Sequence, residues 1–257
     1  MTYTVLPGCE PFSHAAGASL GALVLHGFTG TPVSMRPIAD GLAAAGFDVE
    51  LPRLPGHATH VDDMLATRWD DWLDTVEATY QALAERVAQV VVIGQSMGAT
   101  LALATALTHP DVSGVVAVNP LTTDRGPEAL EMIDDLLDDG FALAPAGPSD
   151  IADPGAHDPS YADTPLAPLR SLLVDGVAPI QHRYGEGAMP LRLFTSRNDH
   201  VVAPTDSEWL AGAWGGPVEH TWLERGYHVA TLDYDREIIE SGTLAFVVGL
   251  AQRTAAS

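Results

Sequence analysis

Lysine is absent from this 257-residue chain. All 12 basic residues are arginines, set against 34 acids, and the formal net charge is −22. Such a balance repels phosphate backbones and anionic headgroups, which argues against nucleic-acid binding and allows at most transient contact with lipid surfaces. Cysteine is scarce as well. A lone Cys9 can close no internal disulfide and no cysteine-based zinc site. Long apolar runs are missing: the longest nearly apolar stretch, 97–107, is far shorter than the roughly 18 residues of a spanning helix. The opening MTYTVLPGCEPFSH has no basic patch followed by an apolar core, so no signal peptide is expected there. These absences together predict a soluble, cytoplasmic protein. No repeat of solenoid length is present.

What remains is ample for a core. Hydrophobic residues make up 46% of the chain, a length that suits one α/β domain. Short apolar runs read as strands: GALVLH (21–26), FDVEL (47–51), QVVVIG (89–94), GVVAVN (114–119), PLRLFTS (190–196) and VEHTWL (218–223). Most are continuously apolar, as a parallel sheet covered on both faces requires. Helical patterns lie between them. Trp69, Trp72, Leu73, Val76, Tyr80, Leu83 and Val87 keep i, i+3, i+4, i+7 spacing, with the tryptophans as core anchors. The stretch 97–107 is apolar all round, as in a central helix packed on the sheet. A last helix covers 236–252, with Asp235 as its cap.

The stretch 121–187 breaks this rhythm. It is rich in proline, and from Gly126 to Leu169 it holds neither lysine nor arginine while carrying many acids. Leu136, Leu137, Phe141, Leu143 and Ile151 are interleaved with them. This reads as a cap insertion folded over the sheet within a single domain spanning 1–257, and its composition predicts a mobile lid over 125–165.

The sharpest chemical signal is Gly94-Gln95-Ser96-Met97-Gly98, placed where a strand ends and the apolar helix begins. A serine hydroxyl is a weak nucleophile and must stand clear of the backbone. A tight strand-to-helix turn presents it, and glycines two before and two after allow strand and helix to approach. Serine then needs a base, and the base a carboxylate, in the chain order Ser, Asp, His for this architecture. Both should follow strand C-terminal ends. Asp199 follows PLRLFTS and His228 follows VEHTWL, so these are preferred. Asp124 and Asp206 are rival acids, and His200 and His220 rival bases. Oxyanion donors are expected from the N–H of Met97 and from the loop after GALVLH, where Phe28 N–H stands; the alternative is that His26-Gly27 is only a tight turn. His57 and His60 have i, i+3 spacing but no evident third ligand, so no metal is expected.

With these residues placed, the chain resembles the α/β-hydrolase superfamily, and within it the bacterial monoacylglycerol lipases and small carboxylesterases. LHGFTGTPVSMRPIADGLAAAGFDVELPRLPGHATHVDDM (25–64), GQSMGAT (94–100), SRNDHVV (196–202) and GYHVATLDYD (226–235) carry the resemblance. It implies a mostly parallel sheet flanked by helices, Ser96, Asp199 and His228 as catalytic residues, Phe28 and Met97 as oxyanion donors, and no cofactor. It also implies an acidic cap residue that contacts the glycerol end of a small ester or lipid substrate. By its distance ahead of Tyr161-Ala162-Asp163-Thr164-Pro165, that acid falls at Asp158. Two departures stand out: Ala58 follows His57 where such sequences carry glycine, and Ala99 replaces a second glycine after the elbow. The expected activity is hydrolysis of carboxylic esters, foremost monoacylglycerols. A general carboxylesterase, a thioesterase and a catalytically dead binding protein on the same fold are the alternatives.

Overall fold

The computed structural model describes residues 3–255. Six parallel strands and one antiparallel edge strand form a seven-stranded sheet in the order β1-β3-β2-β4-β5-β8-β9. These are β1 (Phe12–His14), β2 (Leu20–Leu25), β3 (Asp48–Leu51), β4 (Gln89–Gln95), β5 (Gly114–Val118), β8 (Leu191–Ser196) and β9 (Val218–Leu223). The apolar runs of the sequence all become strands. β2, β5 and β8 are buried at every position, because helices cover both faces. β1 has no counterpart among the predicted strands. It is three residues long and pairs antiparallel with β3, placing Phe12 opposite Leu51.

The helices are α1 (Arg36–Ala44), α2 (Val61–Met64), α3 (Trp69–Ala84), α4 (Met97–Thr108), α5 (Gly126–Asp138), α6 (Leu166–Ser171), α7 (Ala178–Ile180), α8 (Pro204–Ala213) and α9 (Arg236–Ala255). Leu20, Val24, Val91 and Ile93 of the sheet form one core with Ile38 of α1 and Ile239 and Val247 of α9. A second core lies on the opposite face, where α3 and α4 pack with Leu23, Leu25 and Val92. α4 is buried from Met97 to Leu107, so its lack of a polar face follows from its place between sheet and outer helices. Among the described residues no helix is long and apolar enough to cross a membrane.

Asp235 does not cap α9 through its side chain. Its carboxylate accepts the N–H groups of Arg225 and Gly226 instead, at 2.8 and 3.0 Å, and so pins the loop after β9. Only its carbonyl serves the helix, accepting from Ile238.

The stretch between β5 and β8 divides into unlike halves. The first carries α5 and a two-stranded antiparallel hairpin, β6 (Leu143–Pro145) with β7 (Asp163–Pro165). α5 buries Ile133 alone, while Met132 and Phe141 are exposed. The second half is body, not cover. Leu166, Leu172, Leu173, Val177, Ile180 and Tyr184 enter the core shared with α3 and α4. Here the chain widens into a π-helical stretch, Leu172–Val177, and Gly176 lies flat on the Trp69 ring, where a Cβ would sit 2.6 Å from Cε3.

Both tryptophans of α3 are buried as the spacing predicts. Trp72 has no exposed surface, donates from Nε1 to the Pro55 carbonyl at 3.1 Å and meets Phe28 edge-on at 5.8 Å. Trp72→Ala is therefore expected to cost about 3–5 kcal/mol through the cavity it leaves. Urea unfolding checks this: the midpoint falls while the slope stays unchanged.

Candidate active site

The parallel strands deliver the candidate residues to one edge. Phe28 follows β2, Ser96 follows β4, Asp199 follows β8 and His228 follows β9, each at the C-terminal end. Ser96, the residue between β4 and α4, holds φ 55° and ψ −123°. That is left-handed backbone, costly for any residue with a Cβ. The neighbouring glycines explain how the turn closes. A Cβ on Gly94 would collide with the Gly98 carbonyl, and one on Gly98 with the carbonyls of Leu25 and His26. The Ser96 N–H donates to Val118 at 3.0 Å, which ties the turn to β5.

His228 Nδ1 donates to Asp199 Oδ2 at 2.7 Å. Both side chains are buried, the carboxylate 1% exposed. The other carboxylate oxygen accepts the N–H groups of Val201 and Val202, both at 2.8 Å, so the acid is oriented by its own loop. With Nδ1–H committed, the neutral ring carries its free lone pair on Nε2. The rival residues have other duties. Asp124 is exposed and accepts from Gly126 N–H, Asp206 holds the N–H groups of Thr122 and Thr123, and His220 meets Thr195 within the sheet.

Ser96 and His228 line one cavity of about 520 Å³. Phe28 and Gly27 line it too, and a Cβ on Gly27 would lie 3.3 Å from that of Ser96. The loop after β2 thus rests against the elbow. His26 holds it there. Its Nε2 accepts from Leu54 N–H at 3.2 Å and its Nδ1 donates to the Gly27 carbonyl at 3.0 Å. Burial pushes its pKa down to about 4, so the ring keeps this neutral tautomer. His57 packs edge-on against His26 at 5.0 Å, and burial holds it neutral as well. His60 accepts from Asp62 N–H at the start of α2 and stacks on Tyr3. The two histidines therefore serve a ring cluster and a helix end. Ala58, the residue beside His57, has φ 57°, a conformation that accounts for glycine in sequences of this type.

Asp158 lies in the same cavity and is 3% exposed. Its Oδ1 accepts from the Thr31 hydroxyl at 2.7 Å. Burial pushes its pKa up to about 6, with the Thr31 hydrogen bond acting in the other direction. Ser149 and Ser160 stand beside it, bonded to each other, and Tyr161 donates to the Gly56 carbonyl at 2.7 Å. Phe28, Leu169, Val201 and Val229 form the apolar part of the wall, and Thr29, Gln95, Asp150, Thr164 and His200 add further polar groups.

Two residues of the site escape sequence reasoning. Asn119, with φ 44° just past β5, donates to the His228 carbonyl at 2.8 Å and accepts from Ser196 N–H at 2.7 Å. Its position after an apolar strand was the only signal. Asp150, one acid among many in its stretch, accepts the His228 N–H at 3.0 Å.

A family model described as serine aminopeptidase, S33, matches residues 21–145, the part that carries the loop after β2 and the elbow but neither Asp199 nor His228. The thermostable monoacylglycerol lipase of Bacillus sp. (strain H-257) is 38% identical over 253 residues, 95% of this chain and 96% of the relative. A solved structure described under LipS and LipT, two metagenome-derived lipolytic enzymes, matches with a TM-score of 0.90 and 36% identity, over 96% of this chain and 100% of that one. The monoacylglycerol lipase of Paleococcus ferrophilus shares the fold at a TM-score of 0.75 and 19% identity, over 94% and 98%. With such identity to the Bacillus protein along nearly its whole length, the chain belongs to that serine-hydrolase family within the α/β-hydrolase superfamily.

Proposed function

We propose that the protein hydrolyses carboxylic esters through an acyl-enzyme on Ser96, with monoacylglycerols as substrates. The observation that carries this reading is the strained Ser96 turn opening on the same cavity as His228, whose ring is bonded to Asp199. In this mechanism His228 takes the Ser96 proton as the hydroxyl attacks the ester carbonyl. Asp199 holds the ring and stabilises the imidazolium that forms. The N–H groups of Phe28 and Met97 receive the developing oxyanion, each worth about 3–4 kcal/mol in such sites. His228 then returns its proton to the departing alcohol, and water releases the acid by the reverse steps.

The cavity supports the choice of ester. Its wall is polar at Asp158, Ser149 and Ser160 and apolar at Phe28, Leu169, Val201 and Val229, which matches a small hydroxylated head joined to a hydrocarbon chain. In this reading Asp158 accepts hydrogen bonds from the free hydroxyls of the glyceryl group. The arm from Gly126 to Pro165 acts as the cap. The Bacillus relative, named as a monoacylglycerol lipase, adds weight to this substrate class.

Glycerol release from monoacylglycerols of graded chain length, run beside di- and triacylglycerols, tests the proposal. The expected outcome is turnover of the monoesters, lost by roughly 10⁴- to 10⁶-fold in Ser96→Ala. A fluorophosphonate probe should label Ser96 in the folded protein. No label would sink the serine mechanism, and cleavage of nitrophenyl esters without any glycerol release would reduce the activity to a general carboxylesterase.

Asp158 gives a prediction of opposite sign for stability. Its folded-state pKa of about 6 lies above the ordinary aspartate value of 3.8. Between these values the folded protein holds a proton that the unfolded chain has lost, so stability falls as pH rises through the window. The ionised carboxylate then remains a burden at higher pH. Asp158→Asn is expected to stabilise the protein by about 2–3 kcal/mol at pH 8, with the gain vanishing towards pH 4. The same variant should raise KM for a monoacylglycerol more than for the methyl ester of the same acid. Thermal melts across pH and paired kinetics check both statements.

A further inference from the structure

The base-bearing loop is unusually dependent on a distant carboxylate. β9 is the last strand of the sheet, so the loop that follows it has a strand neighbour on one side only. On that inner side Asn119 grips the His228 carbonyl. On the other side stands Asp150, from the loop between β6 and β7. Its Oδ2 accepts two backbone N–H groups, that of His228 at 3.0 Å and that of His200 at 3.1 Å. His200 directly follows the acid Asp199. A single oxygen atom therefore fixes the spacing between the loop of the acid and the loop of the base. Oδ1 meets His200 Nδ1 at 2.9 Å, which keeps the carboxylate from rotating.

The stitching runs both ways. The Asp150 carbonyl accepts from Val229 N–H at 3.0 Å. In return Asp233, fully buried in the base loop, accepts the N–H groups of Ala152 and Asp153 at 2.7 and 3.0 Å, along with that of Tyr227 at 2.8 Å. Hydrogen bonds from N–H groups to a carboxylate are the stronger, charge-assisted kind. Among these contacts, those of Asp150 bear directly on the residue that moves protons.

We infer that Asp150 is a positioning residue for the reaction: its carboxylate, clamped on the N–H groups of His200 and His228, sets the His228 ring for proton transfer from the arm between β5 and β8. The arm in place and the base in register are thus one state of the molecule. The inference rests on the assignment of His228 as the base in the proposed mechanism.

The test compares two esters of one short acid, the nitrophenyl ester and the 1-monoacylglycerol, by kcat/KM, which reports acylation. Nitrophenolate leaves without a proton. A glycerol alkoxide must be protonated by His228 as it departs, so it feels a misplaced ring more. Active sites are counted by fluorophosphonate titration taken to completion, which removes any contribution from unfolded protein. Asp150→Ala is expected to lower kcat/KM for the glyceryl ester about 100-fold, a cost typical of a reacting group displaced by about 1 Å. The fall for the nitrophenyl ester should be at least tenfold smaller. Asp150→Asn keeps an oxygen for the two N–H groups and should recover most of the loss. Should the alanine variant not fold, Asp150→Ser is read the same way. Equal losses on both esters, an alanine variant within twofold of wild type, or an asparagine variant as poor as alanine would each overturn the inference. A wild-type protein that cleaves neither ester would instead overturn the serine mechanism itself.

Discussion

The site depends on a place where no side chain fits. β4 and α4 cross so closely at the elbow that Gly94 meets the backbone of residue 98, while Gly98 meets the backbone at the end of β2. Everything catalytic is referred to this contact. It forces Ser96 into left-handed backbone and lifts its hydroxyl off the sheet. It also brings the carbonyls of Leu25 and His26 against α4, so the loop carrying Phe28 starts from a fixed point beside the serine. The strain is sustained by well-buried surroundings: β2 and β4 contribute to both cores and α4 to one, and none of them can relax without opening a core.

A second constraint follows from composition. With 34 acids and only 12 arginines, most carboxylates cannot find a cation. The buried ones bind backbone N–H groups, and of these Asp206 also meets Arg125 at 3.0 Å. Asp48 takes the N–H groups of Ala16 and Ala18, Asp206 those of Thr122 and Thr123, Asp233 those of Ala152 and Tyr227, and Asp235 those of Arg225 and Gly226. Asp199 treats Val201 and Val202 in the same way. Each of these amides lies outside the sheet ladder, where it needs a partner if it is to be buried. Aspartate thus does in the loops what strand pairing does in the sheet. The acidity that argued against polyanionic partners also supplies the scaffold of the active-site edge.

Much of this was legible before the fold was known, for a physical reason. Parallel strands buried on both faces must be apolar throughout, so they stand out as runs, and the residues just after them locate the C-terminal edge. That is why Ser96, Asp199 and His228 could be placed together from sequence. β1 could not be read, because three residues on an edge with half-buried side chains leave no pattern. Asp235 was misread for the converse reason. It stands in a plausible cap position, and its turn towards Arg225 and Gly226 depends on a loop that folds back on it. Asp150 and Asn119 were invisible because their partners are backbone amides and carbonyls of residues 78 and 109 positions away. A backbone partner leaves no signature in residue type. The stretch 121–187 read as one insertion by composition, yet its later part is core, since its apolar residues answer α3 and α4 and not the sheet edge.

Asp158 departs from this pattern, and the departure is what supports its proposed role at the head of the substrate. The other buried aspartates are each clamped by paired N–H groups, whereas Asp158 is held from Thr31. Its second oxygen approaches Gly30, where a Cβ would come within 3.2 Å, and the residue faces the cavity. A carboxylate left short of donors in a buried wall is costly to the fold, as its raised pKa records. Such a group is readily replaced where only stability matters. Its presence beside Ser149 and Ser160, in the wall of the cavity that Ser96 and His228 line, is accounted for if the missing donors arrive with the substrate. A glyceryl head brings hydroxyls of that kind, and a simple alkyl ester brings none. The same desolvation that weakens the empty site then strengthens each hydrogen bond made in the filled one.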